Sequence, residues 1–539
     1  MALTQSRSDV TAAPRPSADD PRPTGLAGVL GSGDHKVIGR LFIGASLLFL
    51  LISEAVGEAV NLDGLHPHEH KFLTDGNVYA FVTSHQIGVV FAGVVPLLLG
   101  VGLVIVPLQI GSRALAFPRA AAAGFWTWLV GVALVAVAYL IHGGPYGTRA
   151  SGVDLWALAL VMVLAGLVLT TICLITTVFT LRAPGMKLTR VPLFAWGMLV
   201  SGAIWLLTLP VLAALLLIIY VDHHNGGIFI GNDSNASTFT YVRWAVSQPQ
   251  IFAFAAPVLG IIGDIVPTFA RARYEFRHQV AQGFIGLFAI LGFGAFTITS
   301  YASGLGAIAL GTTPFHQPAI IAMSLLIVLP VLALAGLWAD TFRRGRANGS
   351  PLKASPLPFA LIALVLLLIG VVTGALDPIQ RLKLHDTLYD DGVFEVVTGA
   401  AVVGALGALH YWSTKILGRA ALEVGGFAVA ALALVGSVAL AAGPMLAGAF
   451  GTTAQKIYGS STDNALSALG GGLLSLAVLL AIVNFVVSLR GSEAPADPWG
   501  GLTLEWATTS PPAYDNFVEV PPVTSEAPLF DLHTTEAGD

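Results

Sequence analysis

The chain has 539 residues and a formal net charge of −5, and 55% of its residues are hydrophobic whereas only 11% are charged. A soluble domain carries about 25% charged residues, so this composition excludes a soluble enzyme and predicts an integral membrane protein. The single cysteine, Cys173, excludes a disulfide framework and any Cys-x-x-Cys motif for metal or redox chemistry. A bound metal would therefore need histidine or carboxylate ligands.

Apolar stretches long enough to cross a bilayer as helices recur along nearly the whole chain. The sequence predicts twelve such spans, centred near residues 49, 94, 131, 168, 206, 256, 291, 330, 366, 401, 434 and 478. Of the 26 Lys and Arg residues, 20 lie in the terminal segments and the even-numbered connections, and six lie in the odd-numbered connections. This positive-inside bias predicts a multi-pass protein of the inner membrane with both termini in the cytoplasm.

Two polar segments flank the predicted twelve-span bundle, residues 37–489. Residues 1–36 are polar and Pro-rich, which predicts a disordered cytoplasmic N-terminal arm. Residues 490–539 contain prolines and, after Arg490, nine acidic residues but no Lys or Arg. This composition favours a solvated acidic tail in the cytoplasm over a docking segment.

Ionisable residues inside the predicted spans are few, and each is costly in lipid unless it is paired or solvated. His85 lies near the outer end of span two, Asp264 lies in span six, and Glu395 lies near the outer end of span ten. His85 has two possible roles, a hydrogen-bonded structural histidine or a ligand of a metal. For Glu395, snorkelling to the outer interface is favoured.

The predicted outer loops are rich in histidine. Two clusters combine imidazole with carboxylate groups, namely His-Pro-His-Glu-His at 66–70 and Asp-His-His-Asn at 222–225. Borderline divalent metals such as zinc and copper take such ligands. The candidate ligands of an outer-face site are His66, His68, His70, His223 and His224. The competing interpretation is a set of solvated histidines.

Several motifs keep a recognisable order along the chain. They are Asp-His-Lys-x-Ile-Gly (34–39), Val-Pro-Leu-x-Ile-Gly-x-Arg-x-x-Ala-Phe-Pro-Arg (106–119), Leu-His-Asp-Thr-x-Tyr (384–389), His-Tyr-Trp-x-x-Lys-x-x-Gly-Arg (410–419), Thr-Leu-Glu-Trp (503–506) and Ser-Pro-Pro (510–512). In this order and spacing the chain resembles subunit I of the haem–copper oxidases, the cytochrome c oxidase family, from about residue 34 to 517. The resemblance implies an all-α integral membrane protein, a twelve-transmembrane-helix bundle of the subunit I type.

The same resemblance implies positions for a low-spin haem, a high-spin haem and a copper ion, and most ligands are replaced there. His85 stands at the low-spin haem position, Glu395 replaces the opposite haem ligand, and Val393 replaces the ligand of the high-spin haem. The replaced residues around the copper position are Gln248, Gln250, Phe252, Ser300 and Tyr301. The prediction is at most one haem, at His85, and no copper centre.

His385 and Asp386 match an outer-face pair that, in the family, helps to bind magnesium. Two interpretations of this pair remain, a retained magnesium-like site and a purely structural role in the loop.

The loss of redox ligands predicts a catalytically degenerate protein that acts as a structural or assembly subunit of a respiratory or oxidase-like membrane complex. The expected partners are oxidase-like subunits II and III or other membrane subunits, and lipid, but no nucleic acid. A second hypothesis is an electron-transfer subunit that retains one haem at His85. A third is divalent-metal binding at the outer face, and a fourth is transport of a small ligand through the vacated core.

Overall fold

The computed structural model describes residues 25–65, 73, 75–145, 147–225, 235–274, 277–299, 316–345, 354–453, 456 and 458–536. Within these ranges the regular structure is helical, and β-pairing is confined to two isolated bridges. The predicted all-α membrane class is confirmed. Residues 66, 68, 70, 300 and 301 of the predicted sites lie outside the described residues.

Twelve helical segments, which we label α1 to α12, follow the predicted spans in order. Their bounds are α1 His35–Asp63, α2 Asp75–Ile87 continued by Gly88–Val94 and Val95–Gln109, α3 Pro118–Leu140, α4 Ala150–Thr180, α5 Leu193–Asn225, α6 Asn235–Ala270, α7 His278–Thr299, α8 His316–Leu326 continued by Val328–Gly345, α9 Pro356–Leu376, α10 Tyr389–Tyr411, α11 Glu423–Ala449 and α12 Ser461–Ser488.

The count of membrane-crossing helices differs by one from the sequence-based prediction. Among the described residues, eleven helices are long and apolar enough to cross a bilayer. The remaining predicted span, centred near residue 291, coincides with α7, a helix of 22 residues. The side chains of α7 are described only over His278–Gly292, so this helix does not enter the count.

Burial separates the helices into central and peripheral ones. The apolar stretches of α2, α6 and α10 lie almost wholly inside the protein, whereas α3 and α8 are mostly at its surface. Small residues permit close packing where helices cross. At Gly436 of α11, for example, an added Cβ would come within 2.7 Å of the backbone nitrogen of Leu474 in α12.

We call the end of the bundle at which α1 begins the terminal face, and the end at which α1 finishes the distal face. Asp34 caps α1 at the terminal face, because its Oδ1 accepts the backbone N–H of Lys36 at 2.9 Å. The short helix Gly25–Leu30 precedes α1, so helical structure begins within the predicted N-terminal arm.

The tail after Arg490 is packed against the terminal face, which contradicts the predicted solvated tail. Its Leu504 and Glu505 are fully buried. The side chain of Asn516 accepts a hydrogen bond from Nζ of Lys36 at 2.9 Å, and Nζ of Lys415 donates to the carbonyl of Thr508 at 2.6 Å. The prediction was wrong because it was based on the nine acidic residues, whereas the buried apolar side chains of this tail determine where it lies.

Candidate functional site

His85 and Glu395 face each other in the distal half of the bundle, between α2 and α10. His85 Nε2 lies 3.8 Å from Glu395 Oε1, and Nδ1 of the same ring lies 2.8 Å from the carbonyl oxygen of Ser53 in α1. Since a carbonyl only accepts, Nδ1–H is the donor, and Nε2 is the nitrogen that faces the carboxylate. The structure therefore brings these two predicted residues together, and both side chains are half-buried.

Local backbone features place the imidazole of His85 against α1. Gly57 of α1 leaves room for the ring, because an added Cβ there would lie 2.6 Å from its Cε1. A π-helical turn, Gly88–Val94, follows His85 in the same span, and such turns often occur beside functional sites. Two further acids of α1, Glu54 and Glu58, complete the surroundings; Glu54 is buried.

The residues around His85 do not fit a haem. A cavity of about 120 Å³ lies beside His85 and Glu395, whereas pockets for ligands of drug size or larger measure about 300–1,000 Å³. Haem iron is held by nitrogen, sulfur or phenolate ligands, and the position opposite His85 carries a carboxylate.

Among the residues that the structure describes, the side chains at the positions predicted to replace copper and high-spin haem ligands are half-buried or buried within the protein. Gln250 is fully buried, and its Oε1 accepts a hydrogen bond from Nε1 of Trp205 at 3.0 Å. Phe252 packs on Phe288 with ring centroids 5.8 Å apart. Val393 is buried in an apolar cluster, and Gln248 is half-buried. Amide, phenyl and isopropyl groups are not among the usual ligands of copper or haem iron.

A larger open volume lies on another side of α2. A cavity of about 700 Å³ is lined by α1 to α4 and the connection at 141–148, including Phe81, Phe91 and Tyr139. Its lining residues on α2 occupy a different face from His85, and none of its lining comes from α10 to α12. This space is therefore separate from the cavity beside His85 and Glu395.

Two of the predicted outer-loop histidines meet an aspartate at the distal face. His223 Nδ1 lies 2.8 Å from Asp154 Oδ1, and His224 Nε2 lies 3.5 Å from Asp154 Oδ2. One ligand atom from each of the three residues lies within 4.8 Å of the others. The sequence analysis missed Asp154 because it belongs to α4, about seventy residues before the histidines that it contacts.

His385 forms a second cluster at the distal face, with different partners from the one predicted. Its Nδ1 lies 3.1 Å from Asp377 Oδ2 and 4.0 Å from Asp390 Oδ2. The hydrogen bond with Asp377 raises the pKa of His385 to about 9. Asp386 is largely exposed, with its Oδ1 3.8 Å from Nε2 of His385. Asp377 and Asp390 could have been proposed from the sequence, because both carboxylates lie within ten residues of His385.

A third polar cluster lies at the terminal face, where three of the recognised motifs meet. Gln109 Nε2 donates to Asp264 Oδ2 at 2.7 Å and to Glu505 Oε1 at 3.2 Å, and Trp412 Nε1 donates to the same Glu505 oxygen at 3.1 Å. Burial raises the pKa of Glu505 above its ordinary value. These contacts join α2, α6, the end of α10 and the tail, so the cluster connects structural elements.

Comparisons with known proteins agree with this fold. The model of the family described as Cytochrome C and Quinol oxidase polypeptide I matches residues 37–491. The putative cytochrome c oxidase subunit 1-beta of Streptomyces coelicolor is 30% identical over 533 residues, covering 93% of this chain and 89% of that protein. The probable cytochrome c oxidase subunit 1-beta of Nocardia farcinica is 28% identical over 547 residues, covering 96% and 90%.

A solved structure of a haem–copper terminal oxidase dimer aligns with a TM-score of 0.63 at 15% sequence identity, over 93% of this chain and 89% of that chain. This likeness shows the fold. The family match covers more than half of the chain and extends through all the helices from α1 to α12. This multi-pass membrane protein therefore belongs to the cytochrome c and quinol oxidase polypeptide I family.

Proposed function

We propose that this chain is a redox-inactive member of its family that serves as a structural or assembly subunit of an oxidase-like membrane complex. The observation that carries the proposal is the pair of His85 and Glu395. An imidazole and a carboxylate, 3.8 Å apart, stand where the resemblance places the low-spin haem between two histidines. A basic and an acidic group can neutralise each other there without a metal, which lowers the cost of keeping both in the core.

The replaced positions support the same proposal. Gln250 is hydrogen-bonded to Trp205, and Phe252 packs on Phe288, so both side chains already have protein partners. A chain that kept the family's architecture without its ligands retains surfaces for assembly with oxidase-like subunits II and III or other membrane subunits.

Cofactor content of the purified full-length chain tests the proposal. We expect less than 0.1 haem and less than 0.1 copper per chain, measured by the pyridine haemochrome spectrum and by elemental analysis after expression with added haem precursor and copper. His85→Ala is the matched control, since haem that persists in this variant is not bound at His85. Near-stoichiometric haem or core copper in the wild type would contradict the proposal.

Assembly is tested separately by mild detergent extraction from the native membrane, followed by native gel electrophoresis and identification of co-migrating subunits. We expect the chain to migrate in a complex with other membrane subunits. Migration only as the isolated chain would contradict the assembly role.

A second candidate function, electron transfer through one haem, has one observation in its favour. The Nδ1–H of His85 donates to a backbone carbonyl and thereby directs Nε2 away from it, which is the arrangement common in metal-ligating histidines. The same haem measurement decides between the two candidates, because this function requires about one haem per chain in the wild type and none in His85→Ala. Transport of a small ligand through the core stays a prediction.

A further inference from the structure

We propose that Asp154, His223 and His224 form a binding site for a zinc-like divalent cation at the distal face. This site is independent of the haem and copper positions and of the proposed assembly role. It also differs from the predicted outer-face site, because its carboxylate comes from α4.

The fold places these three ligands together. Asp154 lies in the second turn of α4, and His223 and His224 lie in the last turn of α5. The two helices pack against each other along their length, so the beginning of one lies beside the end of the other. Neighbouring histidines on a helix point in different directions, yet both rings reach the single carboxylate of Asp154.

The hydrogen bonds of His224 indicate that its outward nitrogen is a ligand atom. Nδ1 lies 2.9 Å from the carbonyl oxygen of Tyr220, so Nδ1 is the donor, and in the neutral ring Nε2 carries a lone pair. That lone pair faces Asp154 Oδ2 at 3.5 Å, which places two acceptors opposite each other. A cation between them satisfies both atoms, and a backbone bond at the other ring nitrogen is the usual support of a ligating histidine.

The spacing of the ligand atoms suits a small tetrahedral ion. Zinc–nitrogen and zinc–oxygen bonds of about 2.0–2.2 Å place neighbouring ligand atoms roughly 3.3–3.5 Å apart. His223 Nδ1 is hydrogen-bonded to Asp154 Oδ1 at 2.8 Å, and His224 Nε2 lies 3.5 Å from Asp154 Oδ2. A cation at this site takes the place of the shared proton, with a small widening of the first separation. Contact between the Tyr220 and His224 rings, whose centroids are 4.6 Å apart, helps to hold the second imidazole in place.

The donor set selects the class of metal. Two imidazole nitrogens and one carboxylate favour zinc, cobalt, nickel or copper(II), whereas magnesium and calcium prefer oxygen ligands alone. The side chains of His223 and His224 are 36% and 48% exposed, so a cation can reach the site directly from the distal face. Three protein ligands leave a fourth position for water.

The test is titration of the purified full-length chain, stripped with a chelator, with Zn²⁺ followed by calorimetry and with Co²⁺ followed by visible absorption. We expect one high-affinity Zn²⁺ per chain and the intense Co²⁺ absorption of tetrahedral coordination. The variant with both His223→Ala and His224→Ala is expected to lose at least 100-fold in affinity, and Asp154→Asn at least tenfold.

Two variants serve as matched controls. His142→Ala removes another exposed distal histidine, and His385→Ala removes the imidazole of the second cluster. Both are expected to keep the wild-type affinity within about threefold. Gel filtration of every variant checks that it is folded, which we expect because the substituted side chains of the site are partly exposed.

Three results would overturn the proposal. One is absence of Zn²⁺ binding to the folded wild type, and another is unchanged affinity in the double histidine variant, which would place the site elsewhere. The third is loss of binding in His385→Ala alone, which would assign the cation to the cluster around His385. None of these results depends on haem content, so failure of this proposal is distinguishable from failure of the proposed function.

Discussion

The polar cluster around Glu505 in the terminal half and the pair of His85 and Glu395 in the distal half are held in different ways. In the terminal half, Glu505 accepts hydrogen bonds from Gln109 and Trp412, and Gln109 also binds Asp264. In the distal half, His85 makes one backbone hydrogen bond and faces Glu395 only at 3.8 Å, beside a cavity. The cluster around Glu505 is thus a connected network, whereas His85 and Glu395 are a loosely spaced pair.

This difference shows that the family's motifs divide into two groups. The motifs at 106–119, 410–419 and 503–506 contribute Gln109, Trp412 and Glu505, which contact one another and join the tail to the bundle. The redox-ligand positions lie apart from this network. The contacts of this network need no cofactor and do not involve the described redox-ligand positions.

The largest expected difference between the two halves is that they face opposite sides of the membrane. Cys173 is the single cysteine and is buried, so new exposed cysteines can be labelled selectively. In right-side-out vesicles, an impermeant maleimide is expected to label Thr148→Cys at the distal face but not Ser492→Cys at the terminal face. The positive-inside bias is the reason. Permeabilised vesicles, in which both variants should react, are the control, and labelling of Ser492→Cys in sealed vesicles would reverse the topology.

The next effect concerns the packed tail. Trp506 is 2% exposed and contacts Tyr411 with ring centroids 5.1 Å apart. Trp506→Ala is expected to destabilise the protein by about 3–5 kcal/mol, because it leaves a cavity in a buried cluster. Unfolding in detergent by chemical denaturant measures the loss. Val518→Ala, at an exposed position of the same tail, should change stability by less than about 0.5 kcal/mol. Equal effects of the two variants would show that the tail is not packed.

The pair of His85 and Glu395 should respond to mutation differently from the hydrogen-bonded cluster around Glu505. His85→Leu leaves the half-buried Glu395 without its basic partner and is expected to destabilise the protein by about 3 kcal/mol. Replacing both residues together, as His85→Leu with Glu395→Leu, is expected to cost less than the single change, since the carboxylate of Glu395 is then no longer left without its partner. The same denaturant unfolding measures both variants. A double variant that is less stable than the single one would contradict the interpretation that His85 and Glu395 compensate each other.

A weaker effect is expected from pH at the terminal face. Burial lowers the pKa of Lys415 from its ordinary value of 10.5 to about 8. Between these two values the unfolded chain binds more protons than the folded chain, so stability is expected to rise with pH from 8 to 10.5 and to be flat just below pH 8. Melting temperatures of the wild type and of Lys415→Met across this window measure it. The rise of melting temperature with pH is expected to be smaller in the variant. An unchanged rise would show that other groups cause it.

The membrane class, the order of the helices and the family could all be predicted from the sequence. Hydropathy is a local property, so each span could be located from its own residues. The long motif at 106–119 and the shorter ones after it were equally readable, because they are contiguous in the chain. The positions of the expected ligand replacements, such as Val393 and Gln250, were assigned from the order and spacing of the same motifs, and the loss of the ligands stays a prediction.

Which polar groups meet became clear only in three dimensions. Asp154 joins His223 and His224, Asp377 and Asp390 join His385, and Glu395 turns toward His85. The packing of the acidic tail likewise emerged only from the folded chain. These contacts depend on which helix ends lie side by side and on the direction of each side chain, and neither property is encoded in any single stretch of the sequence.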